Sequence, residues 1–171
     1  MGRQIVTFEA GSELKKIADS TFEGCTALRS ITIPSEVVNI GSTAFNGCTA
    51  LETVNFEAGP LKQIQWHTFL NCSSLKNIQI PEGVERIERE AFDGCTSLAN
   101  VTLPASLNKA ENIFSNCPNL TTVIWDIPRP TDNKTFCTFL ESMLGVRPNC
   151  TVKIKDGTEF LCSATAGWYP K

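Results

Sequence analysis

The chain is poor in the residues that most often do chemistry. It has a single His, a single Tyr and two Met among its 171 residues. General acid–base and Cys–His nucleophilic mechanisms need a base within reach of a nucleophile. One imidazole, His67, is all that is on offer, with no local signature around it. No basic excess exists either: 15 Lys and Arg stand against 18 Asp and Glu, a net charge of −3. That argues against a nucleic-acid partner. No apolar run of 18 residues is present, so the chain offers no membrane span. The N-terminus lacks a charged segment followed by a long apolar stretch, so no signal peptide is expected. It also lacks the myristoylation pattern, because Val6 stands where Ser or Thr is needed.

What is present is repetition. Five cysteines, Cys25, Cys48, Cys72, Cys95 and Cys117, are spaced by 23, 24, 23 and 22 residues. Around each runs the pattern F-x-[GN]-C-x-x-L-x-x-[IV]: FEGCTALRSI from Phe22, FNGCTALETV from Phe45, FLNCSSLKNI from Phe69, FDGCTSLANV from Phe92 and FSNCPNLTTV from Phe114. A strand exit follows, often with proline, at Pro34, Pro81 and Pro104. Next comes an apolar pair: Leu14/Ile17, Val37/Ile40, Leu61/Ile64, Val84/Ile87 and Leu107/Ala110. The tetrapeptide FEAG occurs twice, at Phe8–Gly11 and Phe56–Gly59, each time as the exit from a strand. Residues 3–8 align with 51–56 and are expected to be the strand of a truncated first unit.

Physical chemistry explains the spacing. The L-x-x-I-x-I rhythm places Ile31 and Ile33 on one face of a strand and Ser30 and Thr32 on the other. Proline has no N–H for a ladder, so it ends the strand. Gly or Asn at 24, 47, 71, 94 and 116 suits a left-handed turn. One coil buries about six or seven apolar side chains, at roughly 2 kcal/mol each. Ordering about 23 residues costs roughly 1–2 kcal/mol per residue. A lone coil is therefore unstable, whereas stacked coils share one core.

A unit of this form resembles the BspA-like leucine-rich repeat. The stretch VVNIGSTAFNGCTALETV at Val37–Val54 carries the resemblance most fully, and the match covers residues 3–125. The resemblance implies a right-handed solenoid of the α/β leucine-rich repeat type, with a parallel sheet on the concave side and internal Phe and Cys ladders. It also implies a cell-surface or secreted protein that works in adhesion to host proteins or glycans. The fifth unit departs from the pattern. Ala110 to Phe114 is one residue shorter than Ile17 to Phe22, and Trp125 replaces the Ile–Pro exit, so the array is expected to loosen or turn there.

Residues 126–171 form a C-terminal capping segment. Apolar residues at Phe136, Phe139, Leu140, Met143 and Leu144 have helical spacing over 134–144, with Gly145 as the stop. Residues 150–154 alternate as a strand, Asp156-Gly157 reads as a turn, and 157–168 reads as a terminal helix.

Candidate sites follow from this frame. The five repeat cysteines fall at one inward position, and parallel side chains on a ladder are poorly placed for disulfides. They read as buried apolar fillers. No C-x-x-C pair supports zinc. A bond between two of Cys137, Cys150 and Cys162 remains open, with one thiol left over. Trp66 and His67 form either an exposed binding pair or a partly buried convex-side Trp. The sequons at Asn71, Asn119, Asn133 and Asn149 matter only in a secreted eukaryotic protein, where Asn133 is the best acceptor. A stripe of Lys15, Lys16, Lys62, Arg86 and Lys109, diluted by nearby glutamates, reads as a solvated face rather than a polyanion site.

The most informative surface is the solvent side of the strands. Two nearly uncharged columns run along it: Thr7, Thr32, Asn55, Gln79, Thr102 and Ile124, and Ile5, Ser30, Thr53, Asn77, Asn100 and Thr122. Ser30, Thr32, Thr53, Asn55, Asn77, Gln79, Asn100 and Thr102 are the expected binding residues. Their short hydroxyls and amides can both donate and accept. The expected partner is an extracellular protein or a glycan, with no cofactor and no metal. A rigid spacer presenting another domain is the alternative function, and an oligomer through the strand edge at 3–8 is open. A hydrolase or thiol enzyme is the third reading, disfavoured by the single His.

Overall fold

The structure is a computed structural model. It describes residues 4–9, 11–128, 131, 133–145, 150–163 and 167–170, with the side chains of 4, 133–135, 137–139, 163 and 167–170 left aside. Arg3, Asn149 and the Cys137 side chain therefore lie outside the described residues.

Each coil has the same three segments. A main strand is followed by a short second strand and then by a turn that carries the Phe and Cys. In chain order the strands are β1 (Gln4–Val6), β2 (Lys16–Ile17), β3 (Leu28–Ile33), β4 (Asn39–Ile40), β5 (Thr53–Phe56) and β6 (Gln63–Ile64). They continue as β7 (Asn77–Gln79), β8 (Arg86–Ile87), β9 (Asn100–Leu103), β10 (Lys109–Ala110) and β11 (Thr122–Trp125). The odd-numbered strands build the main sheet in two hydrogen-bonded blocks, β1-β3-β5 and β7-β9-β11, all parallel. The even-numbered strands form a second parallel sheet, β10-β8-β6-β4-β2. The ladder break between β5 and β7 coincides with a longer coil exit. Four residues separate Phe56 from Leu61, against three between Ile33 and Val37, Ile80 and Val84, or Leu103 and Leu107.

The core is one continuous column. Leu28, Ile31 and Ile33 are buried, as are their counterparts in the following coils except Phe56, which is half-buried at the ladder break. The phenylalanine rings stack along it: Phe22–Phe45 at 5.1 Å, Phe45–Phe69 at 5.2 Å and Phe69–Phe92 at 5.2 Å, within 8° of parallel. Each of these residues also binds the next coil through its backbone. The N–H groups of Phe22, Phe45 and Phe69 donate to Ala44, Thr68 and Ala91 carbonyls, all at 2.8 Å. The cysteine thiols bind backward: Cys48, Cys72, Cys95 and Cys117 donate to the carbonyls of Phe22, Phe45, Phe69 and Phe92 at 3.1–3.3 Å.

The turns explain the glycines and more. Gly24, Gly47, Asn71, Gly94 and Asn116 all have positive φ, between 54° and 71°, as their residue types suggest. A second left-handed column was not legible from residue type: Ser20, Thr43, His67, Glu90 and Asn112, with φ from 47° to 59°. Such a backbone costs an L-residue roughly 1–2 kcal/mol, which the inter-coil hydrogen bonds offset. Gly41 serves a different need. A Cβ there would lie 2.2 Å from Asp19 Oδ1 and 2.5 Å from the Asp19 nitrogen of the preceding coil.

At the C-terminal end helix α1 (Asn133–Leu144) takes the place of the next coil. The last carbonyls of a helix have no partner within it. Here Ser142, Met143 and Leu144 carbonyls accept the N–H groups of Asn112, Ile113 and Phe114 at 3.1, 3.2 and 2.9 Å. Gly145, at φ 63°, ends the helix. The ring ladder tilts at this step, with Phe92–Phe114 at 5.7 Å and 33°. The main sheet nevertheless does not loosen: β11 pairs with β9 over four residues and then with β12 (Thr151–Ile154), also parallel. Trp125 is buried at the junction, donates its Nε1–H to Pro104 O at 2.9 Å and packs on Phe136.

The terminal helix expected over 157–168 is not formed among the described residues. The chain instead turns at Asp156-Gly157 and runs back as β13 (Glu159–Ser163), antiparallel to β12, followed by β14 (Gly167–Pro170). Phe160 and Cys162 point into the core with Leu161 between them, a period of two that the sheet edge selects over the helix. Thr158 N–H donates to Asp156 Oδ1 at 2.9 Å, closing the turn.

Candidate functional site

The two alignment columns are real rows of the sheet. Ile5 pairs with Ser30 and Ser30 with Thr53, while Thr32 pairs with Asn55. Beyond the ladder break, Asn77 pairs with Asn100 and Asn100 with Thr122, and Gln79 pairs with Thr102 and Thr102 with Ile124. Thr32, Thr53, Asn55, Asn77, Gln79 and Asn100 are exposed, and Ser30 and Thr102 are half-buried. The alternation in each strand produces this: Ile31, Val54, Ile78 and Val101 turn inward between them.

Asn77 and Asn100 are coupled, the Asn100 amide donating to Asn77 Oδ1 at 2.8 Å. Clefts open on the face. One of about 370 Å³ sits at the ladder break and brings Asn55 and Gln79 together with Phe56, Ala58, Pro81 and Glu82. Another of about 270 Å³ joins Ser30 and Thr53 to Ile5 and the Arg29–Glu52 ion pair, whose N–O separation is 2.7 Å. A third, about 770 Å³, reaches Thr32 from the first strand exit.

Sequence reasoning missed how the face ends. The rows run on into the cap, Thr122 to Thr151 and Ile124 to Lys153. Lys153 then meets Glu159 at 2.8 Å. The neutral surface thus terminates in an ion pair on β12 and β13. The signal is the Thr-Val-Lys-Ile alternation at 151–154, which continues the strand rhythm of the array beyond its fifth coil.

Other candidates resolve differently. Cys25 is exposed, unlike the four that follow it, because no coil covers it among the described residues. Burial pushes the Cys48 thiol up to about 11 and Cys117 to about 12, with Cys72 and Cys95 also raised. Cys150, raised to about 12, and Cys162 are free thiols as well. These buried thiols stay protonated at neutral pH, and the thiolate is the nucleophile. No cluster of His, Cys, Asp and Glu among the described residues could hold a metal ion. The basic stripe is broken by ion pairs, Lys15 with Glu36, Lys62 with Glu85 and Arg86 with Glu88. Trp66 is 55% exposed, which corrects the partly buried reading: its place in the register falls on a turn that carries Ser42 and Arg89 in the neighbouring coils. Asn71 sits in its left-handed turn, Asn119 donates to Thr96 O at 2.7 Å, and the Asn133 side chain lies outside the described residues. Among the described residues no helix is long and apolar enough to cross a membrane.

A parallel main sheet, a stacked Phe core and a 23-residue coil define a leucine-rich repeat solenoid. Residues 2–138 match the model of the BspA type leucine rich repeat region in six copies, and the chain belongs to that family. Solved structures agree. A T. pallidum leucine rich repeat protein is 35% identical, with a TM-score of 0.58 over 64% of this chain and 51% of that one. A leucine rich cell surface protein from Faecalibacterium prausnitzii is 28% identical, with a TM-score of 0.69 over 84% of this chain and 35% of that one. A leucine-rich repeat protein from Bacteroides ovatus is 26% identical, with a TM-score of 0.62 over 88% and 41%. The chain thus spans between 35% and 51% of the length of these relatives. None of the curated proteins matches it.

Proposed function

We propose that the chain is a non-catalytic recognition module of a cell-surface or secreted protein, adhering to a host protein or glycan. The repeat array, residues 3–125, carries the recognition, and residues 126–171 close its end. Ser30, Thr32, Thr53, Asn55, Asn77, Gln79, Asn100 and Thr102 make the contacts. The observation that carries this reading is the pair of neutral rows, held in register across successive coils and open to solvent. Hydroxyls and amides at strand spacing offer a ligand donors and acceptors without a desolvated charge. The similarity to a cell surface protein of Faecalibacterium prausnitzii supports the location.

The test is a binding screen of the chain against extracellular-matrix proteins and glycans. A variant carrying Thr32→Arg, Asn55→Arg, Gln79→Arg and Thr102→Arg runs in parallel, with its fold checked by circular dichroism. A ligand bound by the parent and lost by the folded variant is the expected result. Binding by neither, or equally by both, moves the reading to a rigid spacer that presents another domain.

A further inference from the structure

Trp66 stands apart from the sheet, on the turn segment two residues after β6. The core does not require it. Its counterparts in the register set by Ile40, Ile64 and Ile87 are Ser42 and Arg89, both polar. Yet it is 55% exposed, one of four large apolar side chains left open to solvent among the described residues. Its ring is also fixed. The indole stacks on the His67 imidazole, with centroids 5.4 Å apart and planes 7° from parallel. His67 in turn holds Glu90 Oε2 at 2.9 Å from Nε2, and Arg89 Nε holds the other carboxylate oxygen at 3.0 Å.

We propose that Trp66 is the platform of a second binding site, separate from the main sheet, and that its ligand is a glycan held through the apolar face of a pyranose ring. An aromatic face carries negative charge density, which attracts the polarised C–H bonds that line one side of an equatorially substituted sugar. The indole keeps more than half of its surface open to solvent while His67 stacks against it. Arg89, the counterpart of Trp66 in the register of the next coil, offers a guanidinium as donor for ring hydroxyls. A cation is a poorer fit, because the carboxylate that the stack positions, Glu90, already serves both Arg89 and His67. A platform ordered before binding loses little entropy on contact.

The test titrates the chain with cellohexaose and, separately, with chitohexaose, by calorimetry and saturation-transfer NMR. Three variants accompany it: Trp66→Ser, which copies the Ser42 of the preceding coil, Trp66→Phe, and the four-arginine sheet variant, all checked by circular dichroism. One oligosaccharide should bind the parent with Kd on the order of 1 mM. Trp66→Ser should weaken it by about tenfold or more, Trp66→Phe by about threefold, and the sheet variant not at all. Absence of binding by the folded parent, binding unchanged in Trp66→Ser, or binding lost only in the sheet variant would overturn the proposal. That last result would leave the sheet reading standing on its own.

Discussion

FEGCTAL at Phe22–Leu28 and FNGCTAL at Phe45–Leu51 differ at one position, yet they live in different surroundings. In the second coil Phe45, Cys48 and Leu51 are fully buried. In the first, Leu28 is buried, Phe22 is half-buried and Cys25 is exposed. Phe45 has a ring on either side, Phe22 and Phe69, whereas among the described residues Phe22 stacks on Phe45 alone. The Cys48 thiol finds Phe22 O, while Cys25 has no coil behind it to offer a carbonyl among the described residues. The motif is thus a half-interface. Its burial is supplied by the neighbour, so the unit of stability is the contact between coils rather than the coil.

The largest break in this comparison comes from the ring ladder. Phe69→Ala should cost about 3–5 kcal/mol, because it leaves a cavity between two stacked rings. Phe22→Ala should cost about 1–2 kcal/mol, since its site is already open on one side. Urea melts of the two variants measure the difference, and equal losses would remove the asymmetry. A second comparison uses the thiols. Under native conditions Cys25 should react with a maleimide at least about 100-fold faster than Cys72 or Cys95, which are buried and protonated. Peptide mapping by mass spectrometry reads each site, and modification of Cys72 at the rate of Cys25 would show that the coils open locally.

The smallest effect sharpens the turn column. The His67 hydrogen bond, above all, and then the Arg89 charge hold the Glu90 carboxyl below its ordinary value of 4.5, against an opposing push from burial. A carboxyl depressed in the folded state stabilises it above the unfolded value and loses that contribution as pH falls through the folded one. His67→Ala should therefore raise the Glu90 midpoint toward 4.5, measured by NMR titration of its side-chain carbon. In the first coil Glu23 is also lowered, by Ser20 and Asn46, and should not move in that variant.

Much of this was legible in residue order. The Phe and Cys positions, the Gly or Asn turn column and the alternating strands located the coils, because each is a local requirement repeated at one period. The helix over 133–144 was legible for the same reason, from its apolar spacing. The end of the chain was not. Residues 157–168 contain small residues compatible with a helix, but the free edge of β12 takes up Glu159–Ser163 as a strand, and Gly167–Pro170 pairs beyond it. The break between β5 and β7 likewise needed the structure, although its one-residue excess was countable beforehand.

The sequence by itself determined the repeat, the inward and outward residues of each strand and the neutral character of the outward rows, since side-chain alternation and chain length per coil are set locally. Only the tertiary structure decided which copies of the motif are buried, how the last coil is closed by helix carbonyls, where the neutral face stops at Lys153 and Glu159, and that Trp66 stands open on His67. Those features depend on what lies across a gap of one coil, and no residue carries that information alone.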